Sequence, residues 1–332
     1  MGSFYQSDQR LHIQKNIFKK PHFQVDIWGS TYTWFAKFAK RLGVNTARYM
    51  VYGVELPQTN SYAPDIMKDI SHIKRDFGAS RGDIFFQIGI TTPIDTSPTK
   101  STKTEEKQAE IIKKHKYIAH DLLQRYRLHT ARREHMPQAT IIIPLRPEEQ
   151  RQKQYSSSGK RYLNKAKHAK LKFSIATKKQ REEFYNMRYA MAYEKWFSII
   201  TKAMFIDLME EITHQTSGNL YIATKNKEIV SGSIMIYNKK QLVYLYWATN
   251  RQFGNIGAHY RLMDNICERG HQEDYTSCDL LGITPARWSH NHELQWVTRF
   301  KQAFGGKTHT YIGNYDLICN KLLYKTFKYI KS

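Results

Sequence analysis

Asn219–Lys225 (NLYIATK), Glu228–Tyr237 (EIVSGSIMIY) and Gln241–Thr249 (QLVYLYWAT) alternate apolar and polar residues with a period of two. Only Asn-Lys and Asn-Lys-Lys separate them, so the run predicts three antiparallel strands in a meander. A helical period follows from Ala258 to Arg269. A strand at Thr276–Leu281 comes next, then a short helix ending near Phe304 and a last strand over about His309–Ile318. A meander, a crossing helix and a further strand is the order of N-acyltransferase folds of the GNAT type, although order alone does not fix function.

Upstream the pattern is looser but of the same kind. Strands are expected at Phe23–Gly29, 45–53, Asp83–Ile90 and Ala139–Ile143. Helices are expected from the aromatic stretch ending at Leu42, over Asp65–Phe77, and from Thr104 towards Arg133. That last segment gives one long helix and no helical hairpin arm. Residues 180–215 read as helical, with Trp196 and Phe197 near the middle. The expected fold class is therefore α/β (α+β): two GNAT-type N-acyltransferase-like halves with mixed and antiparallel sheets flanked by helices. Residues 1–143 plus 308–332 would form the first domain and 144–307 the second.

Composition narrows the partners. The chain carries 52 Lys plus Arg against 29 Asp plus Glu, a net charge of +23. Such an excess favours polyanions: nucleic acid, anionic lipid or nucleotide-linked substrates. It is concentrated in residues 151–180, which hold ten Lys or Arg and no acid. There, Ser156–Ser158 and Gly159 lead into a short basic helix on which Arg161 and Lys165 share a face. Cys267, Cys278 and Cys319 lack metal-ligand spacing, so no metal site is expected. No apolar run reaches spanning length and no leader core opens the chain, which points to a soluble protein of a reducing compartment.

The sharpest chemical feature lies in Arg299-Phe300-Lys301-Gln302-Ala303-Phe304-Gly305-Gly306, ahead of Tyr311-Ile312-Gly313-Asn314-Tyr315-Asp316. A lysine among phenylalanines and glycines either snorkels to water or keeps its charge for an anionic partner. Tyr244 and Tyr246, two apart on one strand, are expected to share a face, with Val243, Leu245 and Trp247 on the other.

Taken in order, these elements resemble the Fem family of tRNA-dependent peptidyltransferases, which build peptidoglycan cross-bridges. The resemblance rests on Gln24 to Gly29, Pro137–Thr140, Lys160 to Ala166, Tyr244 to Ala248, Asp279 to Ile283, the Phe-Lys-x-x-Phe-Gly-Gly turn and the Tyr-x-Gly-x-Tyr-Asp strand. It implies aminolysis of an aminoacyl ester on tRNA by an amine of a muropeptide stem. Lys301 and Tyr246 would be catalytic, and Lys37, Trp28, Tyr244, Phe300 and Phe304 would bind substrate. Lys160, Arg161, Lys165, Lys167, Lys170 and Arg299 would contact tRNA. Aminoacyl-tRNA serves as co-substrate with no further cofactor and no metal, and the acceptor is a nucleotide- or lipid-linked peptidoglycan precursor. A cytoplasmic monomer is implied, with room for peripheral contact with anionic membrane at the inner face of the plasma membrane. The family pattern is not followed at Tyr62–Met67, Gly89–Thr91 and Glu194–Lys195, where an acceptor's anionic part would dock.

Two other readings share some of these residues. An acyl-CoA N-acetyltransferase would use Arg251–Ala258 as a phosphate loop. A non-catalytic nucleic-acid-binding protein would rest on charge and the 22 tyrosines.

Overall fold

The computed structural model describes residues 22–27, 30–41, 44–54, 83–94, 104–131, 136–284 and 295–330. The expectations for Trp28, for Asp65–Phe77 and for the departures at Tyr62–Met67 lie outside those residues. The chain divides into two compact units: Met1–Ala139 with Thr284–His292 and His309–Ser332, and Thr140–Ile283 with Glu293–Thr308.

In the first unit, β1 (His22–Ile27), β2 (Ser30–Arg41) and β3 (Val44–Val54) form an antiparallel meander. The segment expected to be a helix up to Leu42 is thus strand β2. Its aromatic positions 34, 35 and 38 imitate helical spacing. The β-branched Thr31 and Thr33 among rings favour extended backbone, and pairing on both sides of β2 decides the matter. β4 (Asp83–Pro93) lies parallel to β3. Helix α1 (Thr104–Tyr126) leads to β5 (Leu128–Thr130). The final strand β12 (Lys307–Ile318) pairs antiparallel with both β4 and β5. Its Asp316 accepts from Gln87 Nε2 at 3.0 Å and from the hydroxyl of Tyr324 at 2.7 Å, which seats the C-terminal helix Lys321–Ile330 on β4.

The second unit repeats that order of pairing. β6 (Ala139–Pro144) opens it, followed by two short helices, α2 (Glu148–Lys153) and α3 (Ser157–Lys167), and by β7 (Lys172–Ile175). Helices α4 (Lys178–Lys195) and α5 (Lys202–His214) precede the meander β8 (Gly218–Lys225), β9 (Glu228–Asn238) and β10 (Gln241–Thr249). Helix α6 (Ala258–Gln272) crosses to β11 (Ser277–Gly282), which runs parallel to β10 and antiparallel to β6. α7 (Gln295–Gln302) then leads into β12, and the C-terminal helix completes the series as α8. The strand order is β6-β11-β10-β9-β8-β7.

Local chemistry sets the helix starts. Ser156 caps α3 by accepting from Gly159 N at 3.1 Å, and Thr177 with Gln180 makes a capping box on α4. Arg151 is 1 % exposed and binds Asp264 at 3.0 Å and Glu268 at 2.8 Å, while Tyr155 donates to the same Asp264 at 2.9 Å. This network locks α2 to α6. The two glycines after Phe304 have φ of 74° and 86°, and a Cβ on either would lie 2.6 Å from a carbonyl, of Gln154 and of Ile142 respectively. Only glycine lets this turn lie so close to α2 and β6.

Candidate active site

The meander and α6 together shape one cavity. After β10, Asn250 accepts from Gln252 N at 3.0 Å and starts a tight turn, and the chain enters α6 through Gly257 at φ 74°. A Cβ there would sit 2.3 Å from the Tyr162 carbonyl, so glycine is needed for the loop to pack on α3. No side chain caps α6, so the first-turn amides retain their partial positive charge. They border a cavity of about 510 Å³ walled by Trp247, His259, Tyr260, Trp296 and Phe300, with Arg251 and Asn255 at its edge. Trp247 meets Trp296 edge-on at 5.3 Å, and Phe300 lies 4.9 Å from both His259 and Tyr260. Ring walls beside free amides suit a flat base carrying an ester or phosphate.

His259, which the sequence did not single out among its scattered histidines, fixes the floor. Its Nδ1 lies 2.6 Å from Ser231 Oγ and its Nε2 lies 2.8 Å from the Tyr244 hydroxyl. Ser231 Oγ donates onward to the Ala248 carbonyl. The serine therefore accepts from Nδ1–H, and the tyrosine donates to Nε2. Burial holds the imidazole down to about 3, so it stays neutral and orients Tyr244 rather than exchanging a proton at neutral pH.

Lys301 is the last but one residue of α7 and is 5 % exposed. Its Nζ donates to the carbonyls of Leu281 at 3.1 Å and Gly282 at 2.6 Å, and lies 5.7 Å from the Tyr244 ring centre. Those carbonyls turn inward where β11 loses register against β6, with Leu281 at φ 54°. Burial lowers the ammonium to about 8, partly opposed by Asp279. Asp279 is itself raised by burial and held by the Thr140 hydroxyl and by Leu281 N at 2.8 Å. The lysine is thus seated inward rather than snorkelling, beside rather than within the ring-walled cavity. Phe300, next to it in the chain, walls that cavity together with Tyr260, and Phe304 stacks on Tyr260 at 5.7 Å.

The expectation that Tyr244 and Tyr246 share a face is overturned. Tyr244 pairs with Met235 but Tyr246 pairs with Ile234, so Leu245 is an extra residue in a β-bulge. Tyr244 and Trp247 face α6 and α7, as their contacts with His259 show. Tyr246 faces α4, where Arg188 lies 4.5 Å above its ring. The two side chains proposed as catalytic, Lys301 and Tyr246, are consequently on opposite faces of β10.

Lys160, Arg161, Lys165, Lys167 and Lys170 are exposed on and just after α3 and form no ion pair among the described residues. Tyr162 stacks on Tyr260 at 4.5 Å, which sets this basic helix against the cavity wall. Arg299 is exposed on α7. Lys37 lies on β2, opposite Arg48 in register. At Glu194–Lys195, where the family pattern is not followed, Glu194 pairs with Arg251 at 2.8 Å and Lys195 lies 5.7 Å from the Trp296 ring centre. Among the described residues no cluster of His, Cys, Asp or Glu could hold a metal, and no helix is long and apolar enough to cross a membrane.

Residues 213–332, which include the meander, α6 and α7, match the sequence model of the FemAB family. No curated protein sequence matches the chain. Among solved structures, that of FemX is similar at 12 % identity, with a TM-score of 0.67 over 98 % of this chain and 94 % of that one. A conserved protein of unknown function from Bacteroides thetaiotaomicron VPI-5482 gives 0.57 at 10 % identity over 96 % and 93 %. L-PGS from Bacillus licheniformis gives 0.51 at 11 % identity over 99 % and 97 %. Residues 213–332 therefore carry the sequence pattern of the FemAB family, and the fold of nearly the whole chain is similar to that of FemX.

Proposed function

We propose that the protein transfers an amino acid from aminoacyl-tRNA to an amine on the stem peptide of a peptidoglycan precursor. The observation that carries this reading is the ring-walled cavity at the uncapped start of α6, set against the acid-free basic helix α3 through the Tyr162–Tyr260 stack. The cavity suits the terminal adenosine with its ester, and α3 suits the phosphates that precede it. An aminoacyl ester is already activated, so the reaction draws on no ATP. What it needs is alignment of amine and carbonyl, worth ~7–11 kcal/mol, and charge at the developing oxyanion, worth a few kcal/mol. Lys301, buried and still cationic below about pH 8, fits the second role. The amine attacks the carbonyl, the tetrahedral intermediate collapses, and the ribose oxygen leaves with a proton.

The test is incubation with radiolabelled aminoacyl-tRNA and nucleotide- or lipid-linked precursors, followed by product mass. A product heavier by one aminoacyl residue supports the reading, and none from any pool rejects it. An acyl-CoA reading draws on the same glycine-containing loop into α6. Tight binding in an acetyl-CoA titration would favour it, although Ile256 crowds the position where a small residue brings amides to a pyrophosphate.

A further inference from the structure

Arg188 is a desolvated guanidinium with no acidic partner among the described residues. Arg188, on the side of α4 that faces β10, is half-buried, and desolvation lowers its pKa. Its Nη1 donates to the Trp247 carbonyl at 2.7 Å, and its guanidinium lies 4.5 Å from the Tyr246 ring centre and 5.7 Å from that of Phe197. None of the three acids of α4 pairs with it: Glu182 is held by Lys202 and Glu194 by Arg251, and Glu183 is exposed. Among the described residues no carboxylate pairs with it, in contrast to Arg151, which has two. A guanidinium removed from water without a counter-ion is costly.

The guanidinium opens on a cavity of about 160 Å³, separate from the ring-walled one and lined also by Tyr246, Ser198, Ile199 and Ile200. Tyr185 in its wall spends its hydroxyl on the Ile200 carbonyl at 3.1 Å. The hydroxyls of Tyr246 and Ser198 have no hydrogen-bond partner among the described residues. A forked cation, two residues with unbonded hydroxyls and two branched alkyl side chains therefore line a space too small for a nucleotide.

We infer that this cavity is a subsite for a small carboxylate, held by Arg188 with Tyr246 and Ser198 and packed by its short carbon arm on Ile199 and Ile200. Arginine presents paired N–H groups that match the two oxygens of a carboxylate, and the alkyl walls favour a carbon-bearing anion over a bare phosphate. The site does not depend on the transfer reading, because occupancy needs no turnover. If transfer is the activity, the ligand is a carboxylate arm of the acceptor.

The experiment is a titration of the full-length protein, labelled with 15N in arginine, with propionate and separately with inorganic phosphate. The side-chain Nε–H resonance assigned to Arg188 is followed. Propionate is expected to shift that resonance saturably at millimolar concentrations, with phosphate at least tenfold weaker. Tyr246→Phe should weaken propionate threefold or more, and Arg188→Lys about tenfold by removing the fork while keeping the charge. Arg188→Met should fold with an unchanged or higher melting temperature and bind neither anion, as followed by calorimetry. No saturable shift in the folded wild type would overturn the proposal. So would phosphate binding as tightly as propionate, propionate binding that survives Arg188→Met, or a large loss of melting temperature in Arg188→Met.

Discussion

Lys301 joins two effects of opposite sign. Its ammonium is at about 8 in the folded chain against an ordinary 10.5. Below pH 8 both folded and unfolded chains hold the proton, and the burial penalty is fully present. Between pH 8 and 10.5 the folded chain sheds the proton first, so this residue's contribution to stability rises with pH, by up to about 3 kcal/mol. If its charge serves the oxyanion, transfer should fall over the lower part of that interval while denaturant midpoints rise. The Lys301→Met variant should lack both trends, lose at least ~100-fold in kcat, and melt no lower than wild type by about 5 °C. Near-normal turnover by that variant would remove the residue from the chemistry. The lysine itself was legible in the sequence, because its flanking rings and glycines are unusual. Its seat was not, since Leu281 and Gly282 reach it only through an irregular pairing of β11 with β6. His259 was invisible for the same reason: Ser231 and Tyr244, its partners, come from two other strands.

Helix α3 and the α2–α6 lock carry the predictions at the scale of elements. Replacing Lys160, Arg161 and Lys165 with Gln should weaken aminoacyl-tRNA binding and reduce the slope of log K against log salt by about 2. An unchanged slope would put the phosphate contacts elsewhere. Asp264→Asn should cost about 3–5 kcal/mol in urea unfolding, because Arg151 would stay buried with its main counter-ion gone. A loss under 1 kcal/mol would show that Glu268 alone suffices. Period-two alternation made β8, β9 and β10 legible to within a residue, and Ser156 caps a helix where the sequence places one, whereas the single helix read over 180–215 starts behind Thr177 and is broken at the left-handed Trp196 into α4 and α5. β2 was misread because three of its rings fall at helical spacing, and only pairing with β1 and β3 distinguishes the two conformations.

At the scale of the molecule, a net charge of +23 favours polyanions irrespective of their sequence. Raising salt from 50 to 200 mM should therefore reduce binding of arbitrary RNA by orders of magnitude, with Lys301→Met equal to wild type in that assay. A mutant defective in bulk RNA binding would make Lys301 part of the electrostatic surface rather than of the chemistry. Both units use one plan: a three-stranded meander, a fourth strand parallel to its last, and an antiparallel strand beyond. The sequence showed this plan in its second half, where turns are two or three residues long, and only faintly in the first.

Leu245 is one residue more than the ladder between β9 and β10 can pair. It puts the end of β10 half a pleat out of phase with its beginning, so one short strand furnishes Tyr244 and Trp247 to one compartment and Tyr246 to another. Flattening the bulge without removing a residue, so that Leu245 pairs with Ile234, would rotate Trp247 out of the wall shared with His259 and put Tyr246 in its place. Two chambers that look independent are in this sense geared together, because a slip of the end of β10 by one residue changes the lining of both at once.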